Sequence, residues 1–453
     1  MASKIKGKLV YINLLILLAA SLFLGFSGSS KVMAVGAAYE SLKNFSEVLS
    51  LVQKNYVTEV NTDTLIQGAI NGMLRELDPH TSYMPREAYK EMQVETEGKF
   101  GGLGIEISIK DDLLTVVSPI EDTPAYNAGI KAGDKILKVD GQSTKDMSLI
   151  EAVKKLRGEP GSNVTITVIR EDFQAPKDFT ITRAIIQIKS VKTKKIDPDV
   201  AYIRIRSFTK TTNSELDEAL ASAAKQKGGI KGLILDLRNN PGGLLNQAVE
   251  VSERFLEKGK LVVYTKGRIK EQDMRFVSEG ANARTDFPMV ILVNAGSASA
   301  SEIVAGALQD LQRALVVGTQ TFGKGSVQTI IPLSDGAGLR LTTARYYTPS
   351  GTIIQEKGIT PDIVIENILE PAKTEKEEKE DTKFKAIREK DLDQHLKGEA
   401  AKEKADKTEQ EKSVTGESLE AIDSRDVQLQ RAVGLLKGVA IFKDKLFSPK
   451  KAG

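Results

Sequence analysis

Apolar and polar positions along this chain fall into blocks of different period. Lys4, Lys6 and Lys8 precede an apolar run from Leu9 to Phe26, broken mainly by Asn13, Ser21 and Gly25. A positive end followed by such a run predicts a secretion signal or membrane anchor over residues 1–34. Small residues near Val32-Met-Ala34 suit cleavage, the run is long enough to remain as one spanning helix, and the lack of a following cysteine excludes a lipoprotein anchor. Residues 35–97 read as helical, with amphipathic spacing in Glu47–Tyr56 and Thr64–Leu74, until Leu77-Asp-Pro-His-Thr-Ser-Tyr83 breaks the pattern. Further on, Asn163–Arg170 alternates with period two, as a half-buried strand does. Ala201–Arg206, Ile230–Leu237, Met289–Val293, Ala314–Gly318 and Leu339–Tyr347 read as strands. Between them, Asn213–Gln226 and Ser301–Leu311 read as helices. Strands alternating with helices from about 186 to 365 predict an α/β core. Residues 371–413 are dense in Lys, Glu, Asp and Ala and cannot bury enough apolar surface to offset ordering entropy, which predicts a solvated charged linker over 371–425 or a loosely held charged helix within it. An amphipathic pattern returns in Asp426–Phe442.

Composition then narrows the functional classes. The 453 residues include 64 Lys and Arg against 61 Asp and Glu, a formal charge of +3, so nothing electrostatic points to nucleic acid. Without cysteine, disulfides, a thiol nucleophile and thiolate metal sites are excluded. No metal or organic cofactor is expected. His80 reads as a turn residue with satisfied hydrogen bonds, because no second ligand accompanies it, and His395 reads as solvent exposed.

The chemistry-bearing segment is Gly296-Ser-Ala-Ser-Ala-Ser-Glu302, between a strand and a helix, followed by Thr321-Phe-Gly-Lys-Gly-Ser326. A serine at a helix start lies near free backbone N–H groups and the positive end of the dipole, where an oxyanion can be stabilised. Neither histidine is placed beside it, so Lys324 is the economical base. It must be neutral to act, and burial between two glycines brings an amine pKa down. Gln328 can orient that amine without adding charge. The same letters also fit a plain capping box, Ser299-Ala-Ser-Glu302, and the spacing alone does not choose among Ser297, Ser299, Ser301 and Ser326.

Read at full length, Asn294-Ala-Gly-Ser-Ala-Ser-Ala-Ser-Glu-Ile-Val-Ala-Gly-Ala-Leu-Gln-Asp310 and Val317-Gly-Thr-Gln-Thr-Phe-Gly-Lys-Gly-Ser-Val-Gln328 resemble the signature of the carboxyl-terminal processing, or tail-specific, proteases. The resemblance implies Ser299 as nucleophile, Lys324 as base and Gln328 as its orienting partner. Asp310 matches an acidic position of the family, and is read as structural or supporting because a carboxylate beside Lys324 would raise the lysine pKa. Arg238-Asn-Asn-Pro-Gly-Gly-Leu244, by itself an ordinary strand-to-helix turn, then implies an oxyanion hole made by the N–H groups of Gly243, with Gly242 as neighbour, and Ala300. Upstream, Phe100-Gly-Gly-Leu-Gly-Ile-Glu-Ile107 resembles the carboxylate-binding loop of a PDZ domain. Ser118–Ala125, Ala128–Gly141 and Asn163–Arg170 match the same module in order. Gly102, Leu103, Gly104 and Ile105 are thereby expected to bind a peptide carboxylate, the peptide adding as a strand.

The expected architecture is α/β multidomain. A crotonase-like protease core at 185–370 carries an inserted PDZ domain at 98–184, with a helical region at 35–97 and a helical segment at 426–453. The implied activity is a serine endopeptidase cutting extracytoplasmic proteins near their carboxyl ends, in the bacterial periplasm or on the outer face of the inner membrane. Expected partners are protein or peptide chains with exposed tails, an adaptor protein and further copies of the chain, with membrane contact only through the first segment. Tail capture by the inserted module would be coupled to catalysis. Two other classes compete. A non-catalytic PDZ adaptor would bind tails but be indifferent to Lys324→Ala, and an acyl-thioester enzyme of crotonase architecture would need a coenzyme A site, for which no motif is found.

Overall fold

The computed structural model describes residues 39–110, 113–145, 147–170, 172–226, 228–280, 282–366, 387–397 and 426–447, side chains at 150 and 443–447 excepted. The expected signal or anchor at 1–34 and most of the expected linker lie outside them. No helix among the described residues is long and apolar enough to cross a membrane.

Residues up to Leu74 form one compact unit and Arg75 onward another. The first is helical at 39–55 and again from Thr62. Leu42, Phe45, Val48 and Leu51 are exposed on its first helix.

In the second unit, a six-stranded antiparallel sheet begins with edge strand β1 (Ile105–Lys110), and helix α1 (Leu149–Leu156) packs beside it. Ser148 and Glu151 close a capping box that fixes where α1 starts. This module has its own core, including Leu103, Val116, Ile136, Ile166 and Leu156. Its entry and exit are adjacent, since Lys99–Gly102 pairs antiparallel with Ala184–Gln187.

The larger core is built on a six-stranded sheet whose spatial order follows chain order: Val191–Lys195, Val200–Ile205, β2 (Gly232–Asp236), β3 (Met289–Val293), Leu315–Gly318 and Ile363–Val364. All its pairings but the first are parallel. β2 and β3 are buried at every position because both faces are covered. Leu233, Leu235, Ile291 and Val293 face helices Thr212–Ala224, Leu245–Glu253 and α2 (Ala300–Asp310). On the other side Ile234, Val290 and Leu292 pack with Leu429, Ala432 and Leu436 of the closing helix. A second, antiparallel sheet holds β4 (Ser326–Pro332) and β5 (Gly338–Tyr347), with Leu261–Gly267, Arg275–Val277 and the short Ser82–Met84. The closing helix is α3 (Val427–Phe447).

Candidate active site

The four serines left open by spacing have different surroundings. Ser297 is fully buried and donates to the Leu237 carbonyl at 2.8 Å. Ser301 is fully buried and donates to the Asn240 carbonyl at 2.9 Å, and Ser326 accepts from Gln328 Nε2 at 3.0 Å. Ser299 differs. It is partly exposed at the start of α2, with φ 54° and ψ −111°, and its hydroxyl makes no cap hydrogen bond. A serine at positive φ outside the left-handed helical region costs on the order of 1–3 kcal/mol, which the buried bonds of its neighbours must hold in place.

Glu302 is what holds it. Its fully buried carboxylate accepts from Ser299 N at 2.8 Å and Lys324 N at 3.0 Å, and also from Gly323 N at 2.8 Å and Thr321 Oγ1 at 2.6 Å. The half of the capping box made by the glutamate is present, but its other oxygen serves the lysine loop. One side chain thus fixes the backbone at both residues of the expected dyad. Burial pushes the Glu302 pKa up to about 7, against the hydrogen bonds that pull it down.

The lysine loop is packed close. A Cβ at Gly325 would stand 2.2 Å from the Gln355 nitrogen, so only glycine fits there. Lys324 has its pKa lowered from 10.5, first by burial; Arg340 also lowers it, while Glu389, Asp78 and Glu302 act in the opposite direction.

Gln328 sits where the pairing of β4 with β5 shifts register, a bulge of the kind that re-aims a side chain. Its amide donates to Ser326 Oγ at 3.0 Å and Thr342 Oγ1 at 3.2 Å rather than pairing with the lysine. Thr342 Oγ1 in turn donates to the buried Asp78 at 3.1 Å.

The glycine loop after β2 reaches the same place. A Cβ at Gly242 would meet Ser299 Cβ at 2.9 Å and the Ala300 nitrogen at 3.0 Å. Phe208 N donates to the Gly242 carbonyl at 2.9 Å and Leu244 N to the Phe208 carbonyl at 2.8 Å. Among the described residues, no backbone hydrogen bond uses the N–H of exposed Gly243 or of Ala300, the first residue of α2. Arg238, which opens the loop, is clamped by Asp236 at 2.6 Å and by Asp426 at 2.8 Å.

Asp310 lies at the far end of α2, about 15 Å from its start at 1.5 Å per residue, and accepts from Ser350 N at 2.8 Å. It anchors a turn. His80 is bonded through Nε2 to Glu389 at 2.8 Å. His395, expected to be exposed, is instead largely covered and bonded to Glu356 at 2.7 Å, because residues 387–397 lie on the core. Among the described residues no group of three metal-ligating side chains converges.

In the antiparallel module, Gly102 pairs with Ala184 and Leu103 is buried in the core. The Leu103 and Gly104 carbonyls accept from Ala125 N at 2.9 Å and Ile120 N at 2.8 Å, while no described acceptor is bonded to their own N–H groups. Ile105 then opens edge strand β1, whose outer side has no partner strand among those described.

Sequence reasoning gave Glu302 only a capping role and missed Glu389, Asp78 and the Asp236–Arg238–Asp426 cluster. The capping-box spacing was the one available signal for the first.

Comparison with known proteins gives three family matches: Peptidase family S41 over residues 199–365, PDZ domain over 115–170 and Activating protease CtpB N-terminal domain over 26–88. A carboxy-terminal-processing protease of Bartonella bacilliformis is 46% identical over 88% of this chain and 89% of its own length. A probable CtpA-like serine protease of Staphylococcus aureus is 39% identical over 77% of this chain and 71% of its own. Among solved structures, a photosystem II D1 C-terminal processing protease is 31% identical, covering 71% of this chain and 92% of that one, with a TM-score of 0.42.

Proposed function

Because the chain belongs to the PDZ-containing carboxyl-terminal processing protease family, and so is a serine-type peptidase acting on protein or peptide chains, we propose that its chemistry runs through a Ser299–Lys324 dyad. The observation that carries this reading is the single Glu302 carboxylate bonded to the backbone of both residues. Neutral Lys324 takes the Ser299 proton as Oγ attacks the scissile carbonyl. The N–H groups of Gly243 and Ala300 receive the oxyanion, each worth on the order of 3 kcal/mol in the transition state. The lysine proton passes to the leaving amine, whose C–N bond breaks to give the acyl-enzyme. Neutral again, Lys324 deprotonates water for deacylation. Gln328 orients the amine once it turns from Ser326 and Thr342, and Asp310 supports the fold of α2.

Substrate tails dock at Gly102–Ile105, the carboxylate on the free N–H groups and the peptide as a strand along β1. The remaining parts of the reading are a crotonase-like core and an exported enzyme facing the bacterial periplasm, tethered only by its first segment. Copies of the chain associate through the exposed apolar side chains of the first helix, and an adaptor presents substrates.

Intact mass analysis of a destabilised protein with an apolar carboxyl end tests the dyad. Wild type should release fragments cut near that end, whereas Ser299→Ala and Lys324→Ala should leave the substrate whole. Cleavage retained by Lys324→Ala would reject the lysine as base.

A further inference from the structure

Residues 387–397 lie in a stretch whose composition predicts solvation, yet they are held on the core by a dense set of bonds. Arg388 Nη2 donates to the Glu356 and Lys357 carbonyls at 3.2 and 2.9 Å. His395 bonds Glu356, and the Leu396 carbonyl accepts from Gln355 Nε2 at 2.9 Å. The product of this docking is Glu389, fully buried, with His80 against its carboxylate.

Glu389 brackets Lys324 from both sides of the lysine loop. Its backbone N donates to the Phe322 carbonyl at 3.1 Å, two residues before the lysine. Its carboxylate accepts from Gln355 Nε2 at 2.9 Å, and Gln355 Oε1 accepts from Gly325 N at 2.9 Å, one residue after it. A buried carboxylate whose bonded partners are a histidine and one side-chain amide is expensive to build unless it is held for a purpose. We propose that Glu389 is a positioning residue for Lys324, clamping the Phe322–Gly325 loop and setting a fixed negative charge opposite the amine, an inference that rests on Lys324 being the base.

Geometry and electrostatics agree. The charged groups facing the lysine are Glu389, Asp78 and Glu302 on one side of the balance and Arg340 on the other, and Glu389 is the strongest of the three anions. Burial weakens the amine as a base, and the glutamate restores part of its basicity. The segment therefore tunes the pH range in which the lysine works, and a chain with 387–397 undocked has a misplaced base.

The test reads the lysine directly. In the full chain, acetylation of Lys324 by acetic anhydride is followed across pH by peptide mass spectrometry. Glu389→Gln should move the labelling midpoint to lower pH, raising the rate on its acid side by roughly threefold or more, while Glu389→Asp, which keeps the charge, should restore the wild-type curve. Arg388→Ala, which loosens the segment without touching the carboxylate, should displace the curve from wild type and serves alone if the glutamine variant does not fold. Curves that coincide with wild type overturn the proposal. Cleavage by wild type but not Ser299→Ala, measured separately, keeps the two readings apart: a shifted curve in a protein without dyad-dependent cleavage sustains the Glu389 coupling and removes the base assignment.

Discussion

Ser299 and Lys324 are 25 positions apart by their numbers, and what unites them is a residue that does no chemistry. Four donors converge on the Glu302 carboxylate, and three of them are backbone N–H groups that can only donate. Glu302→Gln keeps the volume but turns an NH2 toward two of those donors. Each buried donor left unpaired costs about 1–3 kcal/mol, so a loss of about 3 kcal/mol in denaturant unfolding is expected, together with loss of cleavage; a variant as stable and active as wild type would remove Glu302 from the site. The lysine makes a second prediction. In the proposed dyad neutral amine is the working form, so kcat/KM should rise with pH as Lys324 loses its proton. The rise should come below the ordinary lysine value of 10.5, because burial outweighs the anions around it. A profile whose only rise lies at or above that value would show the amine to be solvated.

At the scale of elements, the glycine loop after β2, proposed to bind the oxyanion, depends on a helix nearly two hundred positions away. Arg238 is shared between Asp236 on β2 and Asp426 just before α3, with Gln428 adding a bond at 3.1 Å. Removing Asp426 strips two charge-assisted bonds from Arg238 and leaves Asp236 as its one carboxylate partner, so Asp426→Ala should destabilise by about 1.5–3 kcal/mol and slow cleavage through the loop; equal stability would mean the pair is solvated. The Asp426 pKa is lowered from 3.8; burial opposes the shift, and bonding to Arg238 more than offsets it. Its contribution is therefore present above 3.8 and lost as pH falls through the lower folded value, and wild type and variant should converge in stability in acid. Such couplings mark the limit of what was legible in the sequence. β2, β3 and α2 are evident from apolar runs and spacing because local burial writes them into consecutive residues. The site glycines are evident because a loop pressed against another backbone tolerates nothing larger. Glu389, Asp78 and Asp426 are ordinary acidic letters, and their meaning comes from contacts across the fold that no local pattern records. His395 misleads for the same reason, since a charged run predicts solvation unless a core surface is waiting for it.

On the scale of the whole molecule, the PDZ module is an insertion whose two ends form one ladder. Ile188 N donates to the Gly98 carbonyl at 3.0 Å, and Gly102 lies opposite Ala184. That stem stands close to the glycine loop after β2. Gly98 ends the helix Arg86–Glu97 in the left-handed conformation, and a Cβ there would meet Thr209 Oγ1 at 3.0 Å. Lys210 N donates to the Thr96 carbonyl at 3.0 Å, and Phe208, two residues earlier, pairs with Gly242 and Leu244. A tilt of the stem therefore reaches the Gly243 N–H through one short loop, a continuous physical path of the kind coupling requires. Excising 103–183 and joining Gly102 to Ala184 by a turn of about two residues preserves the ladder and leaves the larger core intact. The shortened chain should lose its preference for substrates with a free terminal carboxylate over amidated ones. If the stem transmits tail capture, it should also cleave an unstructured peptide at a different maximal rate from the intact enzyme. Lost selectivity with an unchanged rate would reduce the module to a tether, and unchanged selectivity would place tail recognition elsewhere in the chain.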